Sequence, residues 1–142
     1  MTAWLAPGGQ IAVQMPANDA HLSQVTAREL ALREPFATAL AGAKRVTPVL
    51  ELEEYALLLA QLGYAEQHVR AQIYLHRLSQ SRQLFEWVKG TVLTWYAARL
   101  EPSLYTRFVE EYRERLQERL GPADDPYLLT YRRVLLHASL AI

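Results

Sequence analysis

Three stretches, 10–15, 69–78 and 131–140, carry apolar residues in continuous or alternating runs, and between them apolar residues recur every three or four positions. Alternation defines a strand with two faces, and the longer spacing defines one face of a helix, so the pattern predicts an α/β fold with three strands.

Pro7-Gly8-Gly9 forms a tight turn ahead of the first strand, Gln10 to Met15, and Pro16 stops it. Asn18 or Asp19 is placed to cap a helix carrying Leu22, Val25, Ala27 and Leu30, which runs to Glu34 and ends at Pro35. The Ala-rich stretch 36–48 has no clear period and is expected to be irregular or weakly helical. Leu52, Tyr55, Leu58, Leu59 and Leu62 mark a helix over 51–62, with Gly63 as its left-handed stop. In the second strand Val69, Ala71, Ile73 and Leu75 share one face, and Arg70, Gln72, Tyr74 and His76 share the other.

Ser79 or Ser81 is expected to cap a long helix with a stripe of Leu84, Phe85, Val88, Val92 and Trp95, ending near Pro102. A further helix is carried by Leu104, Phe108, Tyr112, Leu116 and Leu120 and closes at Gly121. The two helices form a hairpin over 79–121 that serves as a cap. Residues 121–126 make a turn into the third strand, where Val134, Leu135 and Leu136 predict burial on both faces. With 142 residues and 51% hydrophobic content, the chain suffices for one unit with a core of its own.

Fifteen basic and fifteen acidic residues leave no net charge to attract nucleic acid. Arg113, Arg115 and Arg119 alternate with Glu110, Glu111, Glu114 and Glu118 at ion-pair spacing, which describes a solvated face. The absence of cysteine excludes disulfides and thiolate chemistry and suits the cytoplasm. Met1 to Gln14 lacks the basic and apolar regions of a signal peptide, and no apolar run is long enough to span a membrane.

No Gly-rich phosphate loop and no nucleophile elbow is present; the serines fit caps and turns. The histidines at 21, 68, 76 and 137 lie far apart without i, i+4 partners, so no metal site is expected. Tyr74 and His76 suit either a ligand contact or a structural pair. Arg132 and Arg133 suit either strand anchoring or a carboxylate.

The run Leu5 to Asn18, LAPGGQIAVQMPAN, resembles the fifth strand of the trans-aconitate 2-methyltransferase family and the segment just after that strand. The resemblance continues through Arg33-Glu34-Pro35, Leu57 to Tyr64, Tyr74-Leu75-His76, Glu86-Trp87-Val88-Lys89-Gly90-Thr91 and Tyr131-Arg132-Arg133-Val134-Leu135. It implies the carboxyl-terminal part of a class I methyltransferase (Rossmann-like) fold: a three-stranded mixed sheet, its last strand inserted antiparallel between the other two, with the helical cap. It also implies S-adenosylmethionine as the family's methyl donor, held by an amino-terminal half that carries the Gly-rich loop and an acidic residue. Neither is in this chain, so it is not expected to bind the donor alone.

The reaction implied is methylation of a carboxylate of a small polycarboxylic acid. The residues in matching segments that can bind such an acid are Asn18, Arg33, Tyr74, His76, Trp87, Lys89, Thr91 and Arg133, of which Trp87 is most readily read as core. A carboxylate is a nucleophile at neutral pH, so no catalytic residue is assigned. Half a fold exposes a strand edge and an apolar flank, which predicts a homodimer or a partner supplying the other half. The alternative is a non-catalytic binding or assembly module that dimerises through that edge.

Overall fold

The computed structural model describes residues 5–141. In chain order the elements are β1 (Gln10–Pro16), α1 (Leu22–Ala31), α2 (Phe36–Leu40), α3 (Leu52–Gln61), β2 (Tyr64–Leu78), α4 (Gln83–Val92), α5 (Thr94–Ala97), α6 (Pro102–Leu120) and β3 (Tyr127–Leu140). Contacts divide the chain into two compact units, one holding 1–18, 48–75 and 130–142, the other 19–47 and 76–129.

The first unit is a three-stranded antiparallel sheet, order β1-β3-β2, backed by α3. The last strand therefore lies between the other two, as expected. Gln10 pairs with Ser139 and Pro16 with Arg133, and Gly8 N donates to Ala141 O at 2.9 Å beyond the strand end. Gly8 has φ 72°, and a Cβ on Gly9 would meet Ala6 O at 2.8 Å, so this turn requires both glycines. Ile11, Val13 and Met15 of β1 and Val134, Leu136 and Ala138 of β3 face Leu52, Tyr55 and Leu59 of α3. Tyr55 anchors this layer, its hydroxyl accepting from Leu50 N at 3.2 Å and donating to Met15 Sδ at 3.0 Å.

Two expectations are corrected in this unit. The apolar stripe of α3 is narrower than its spacing suggests, because Leu58 and Leu62 are exposed along with Leu57. The second strand begins at Tyr64, not Val69, and of its expected buried face only Val69 joins the core; Ile73 and Leu75 are each 53% exposed. Alternation gives the face of a residue but not whether anything covers that face.

The second unit is helical, with α1 packed on α2, α4 and α6. Its core is aromatic: Phe108 stacks on Tyr96 at 4.6 Å and meets Phe36 edge-on at 5.0 Å. The expected cap of α1 is displaced. His21 is the N-cap, its Nδ1 accepting from Ser23 N at 3.3 Å, while Asp19 pairs with Arg28 at 3.2 Å. The helix stops at Ala31, three residues short of the expected Glu34.

The predicted helix from Ser79 to Glu101 is two helices, α4 and α5, parted at Leu93, where Gly90, Val92 and Thr94 weaken the helix. Neither serine caps it; Ser81 is buried, its hydroxyl donating to Pro122 O at 2.8 Å. Pro102 opens α6 in the first turn, where it lacks no needed donor, and Gly121 closes it at φ 85°. Arg107 and Arg115 of α6 pair with Glu111, as spacing predicts, but Arg113 reaches Glu86 of α4 at 3.8 Å and Arg119 pairs with Glu29 of α1.

Candidate functional site

The residues singled out by sequence fall into separate groups, three of them in the sheet unit. Asn18 lies just beyond β1, and its Oδ1 accepts from Arg132 N at 2.6 Å, finishing the ladder that Ala17 N continues to Arg132 O at 3.0 Å. Its Nδ2 is shielded from solvent without a hydrogen-bond partner.

Arg133, the next residue along β3, lies over Tyr131 at 5.2 Å and Tyr74 of β2 at 6.0 Å. Both rings lie within cation–π range of the guanidinium. Tyr131 is a member of this group that sequence reasoning missed; the signal was its placement two residues before Arg133 on one strand face.

In the helical unit, His76 at the end of β2 meets Trp87 of α4 with ring centres 4.8 Å apart, tilted by 51°. Trp87 is 44% exposed, so its reading as a core residue does not hold. Position 87 falls at the border of the buried face of α4 that carries Leu84, Phe85, Val88 and Val92. Lys89 pairs with Glu86 one turn earlier. Thr91 is exposed, and its hydroxyl donates to Val88 O at 3.1 Å. A carboxylate ligand would therefore compete with Glu86 for Lys89.

Arg33 stands apart from the α4 residues. It lines a cavity of about 270 Å³ with Thr26, Glu29, Arg115, Glu118 and Arg119, where Arg119 donates to Thr26 Oγ1 at 3.0 Å. None of the other sequence-selected residues lines that cavity.

Two histidines that spacing set far apart are neighbours. His68 of β2 and His137 of β3 have ring centres 6.0 Å apart, tilted by 31°. They share a shallow groove with Arg70 and Leu135. Only strand pairing brings together residues so remote in sequence, and no local motif announces it.

Burial holds His21 below the usual imidazole range, since it favours the neutral ring. Nδ1 accepts from Ser23 N, and Nε2 lies 3.1 Å from the hydroxyl of Tyr127. Burial raises the hydroxyls of Tyr112, Tyr96 and Tyr127 above the usual tyrosine range. These groups are structural: each sits among packed helices or at a cap, and none has a nucleophile beside it to activate.

The chain's relatives in sequence are methyltransferases. They are the trans-aconitate 2-methyltransferases, and the resemblance to this family extends over nearly the whole chain. The protein of that name from Deinococcus radiodurans is 36% identical over 139 residues, covering 95% of this chain and 53% of that protein. Those from Methylobacterium nodulans and Mycobacterium tuberculosis are 36% and 33% identical, covering 94% and 95% of this chain and 52% of each relative.

The chain thus spans about half the length of the curated relatives it matches, consistent with a carboxyl-terminal half. No family model matches the chain. Among solved structures an N-methyltransferase of Haemonchus contortus aligns at a TM-score of 0.37 and 14% identity over 99% of this chain and 28% of that one, a likeness too loose to add to the argument.

Proposed function

We propose that this chain is the carboxyl-terminal, substrate-side part of an S-adenosylmethionine-dependent methyltransferase that esterifies a carboxylate of a small polycarboxylic acid such as trans-aconitate. The observation that carries this reading is the uniform name of the relatives, which match about 95% of this chain with about half of their own length. The residues present do not fit the methyl donor: no Gly-rich turn follows a strand to open a helix, the arrangement that binds such a cofactor.

What this chain supplies is hold and orientation of the acid. Arg133, within cation–π range of Tyr74 and Tyr131, and the side-chain amide of Asn18 offer donors on the sheet unit. Lys89, Thr91, His76 and Trp87 offer a second group on and beside α4, and Arg33 a third position. A carboxylate needs no base to react near pH 7, so positioning carries the chemistry.

The chain by itself is inactive in this reading, and its exposed flank requires a second surface. β1 has no strand on its outer edge among the described residues, and Leu57, Leu58, Ile73 and Leu75 stand exposed. A homodimer covers such surfaces, as does the amino-terminal half of the enzyme.

The test is titration calorimetry of the purified chain with S-adenosylmethionine, followed by addition of the amino-terminal half of the Deinococcus radiodurans relative as a separate chain. No heat alone, and methyl ester from trans-aconitate once the halves are mixed, is the expected result. A defined dimer that binds polycarboxylate but yields no ester with any amino-terminal half would favour a non-catalytic assembly module instead.

A further inference from the structure

We propose that His68 and His137 form a two-imidazole site for a late first-row divalent metal ion, Zn²⁺, Ni²⁺ or Cu²⁺, which staples the edge strand β2 to the central strand β3. Each metal–nitrogen bond is about 2.0–2.1 Å, which sets the centres of two rings sharing one tetrahedral ion at roughly 5 Å, within about 1 Å of side-chain adjustment by two exposed rings. The observed separation is 6.0 Å. Both rings are exposed and belong to one groove, so an ion enters without disturbing the core, and water completes its coordination. Glu66 and Arg70 stand two residues either side of His68, so the flanking formal charges cancel and the imidazoles decide the affinity.

Among the described residues no group of three His, Asp or Glu side chains converges, which makes this a weaker site than a structural zinc centre and one selective for nitrogen-seeking ions. The ion acts on the least covered part of the sheet. From Arg70 to Leu75 every residue of β2 is exposed, so its attachment rests largely on the ladder to β3.

The test is titration calorimetry of the untagged chain with NiCl₂, ZnCl₂ and MgCl₂ in a non-chelating buffer near neutral pH, beside the His68→Thr and His137→Thr variants. Threonine keeps strand propensity at exposed positions, so both variants retain the fold, which circular dichroism checks. The expected result is one Ni²⁺ or Zn²⁺ per chain, no heat with Mg²⁺, about 100-fold weaker binding in either variant, and a melting temperature raised by about 5 °C with the ion in wild type alone. Binding that survives either substitution, equal binding of Mg²⁺, or half an ion per chain with a doubled mass by light scattering would overturn it.

Discussion

The hydroxyl of Tyr112, fully buried on α6, donates to Ser23 O of α1 at 3.2 Å, and burial keeps it protonated far beyond the usual tyrosine range. Its folded-state pKa lies above the unfolded value, so the stability it contributes is complete below about pH 10 and is lost as pH rises above that. Tyr96 and Tyr127 shift in the same direction. The protein should unfold in alkali above about pH 10, and Tyr112→Phe should lose about 1 kcal/mol at neutral pH while losing less on the alkaline limb, read from urea melts across pH.

His21 acts at the other end of the scale. Its pKa is lowered in the fold, so the stability it gives is present above the unfolded value near 6.5 and is lost as pH falls below it. Protonation at Nδ1 removes the acceptor for Ser23 N and so the cap of α1. His21→Asn keeps a capping side chain without that titration, and should flatten the decline in melting temperature between about pH 6.5 and 5. Among the proposed ligand residues, Arg133→Ala in the reconstituted enzyme should weaken acid binding by about 2 kcal/mol, seen as a higher KM.

At the scale of elements, the helices depend on each other more than on their own propensities. Phe108 is completely buried between Phe36 and Tyr96, so Phe108→Ala should cost about 3–5 kcal/mol in thermal or urea unfolding, enough to unfold a marginal unit. Ser81 shows the same dependence by hydrogen bonds: it donates to Pro122 O and accepts from Gln117 Nε2 at 2.9 Å, tying the start of α4 to the end of α6. A serine before a helix reads as a cap in sequence, and only the arrival of the 121–126 turn makes it a tether. The break between α4 and α5 had a local signal that the apolar stripe masks: the stripe continues through Val92 to Trp95, while Gly90, Val92 and Thr94 weaken the helix around Leu93.

At the scale of the molecule, the sheet is limited by its edges. β3 is paired on both sides, whereas β1 and β2 each have one free edge among the described residues. If the amino-terminal half of a relative covers the β1 edge, its addition should raise the melting temperature of the chain and reduce hydrogen exchange in β1 more than in α6. Equal protection of both would mean that the partner binds elsewhere.

The sequence by itself determined the three strands and most of the helices between them, because periodicity and turn glycines are local properties of the chain. The central placement of the last strand came from the resemblance to trans-aconitate 2-methyltransferases that motif order carries. Tertiary structure decided which predicted faces are covered, as at Leu58, Leu62, Ile73 and Leu75, since burial depends on a neighbour that periodicity does not name. It also decided the company each polar side chain keeps. Asn18 serves Arg132 instead of a helix, Arg133 lies over Tyr74 and Tyr131, and His68 meets His137 across 69 residues of chain, because strand register sets those distances and register is fixed only when the sheet assembles.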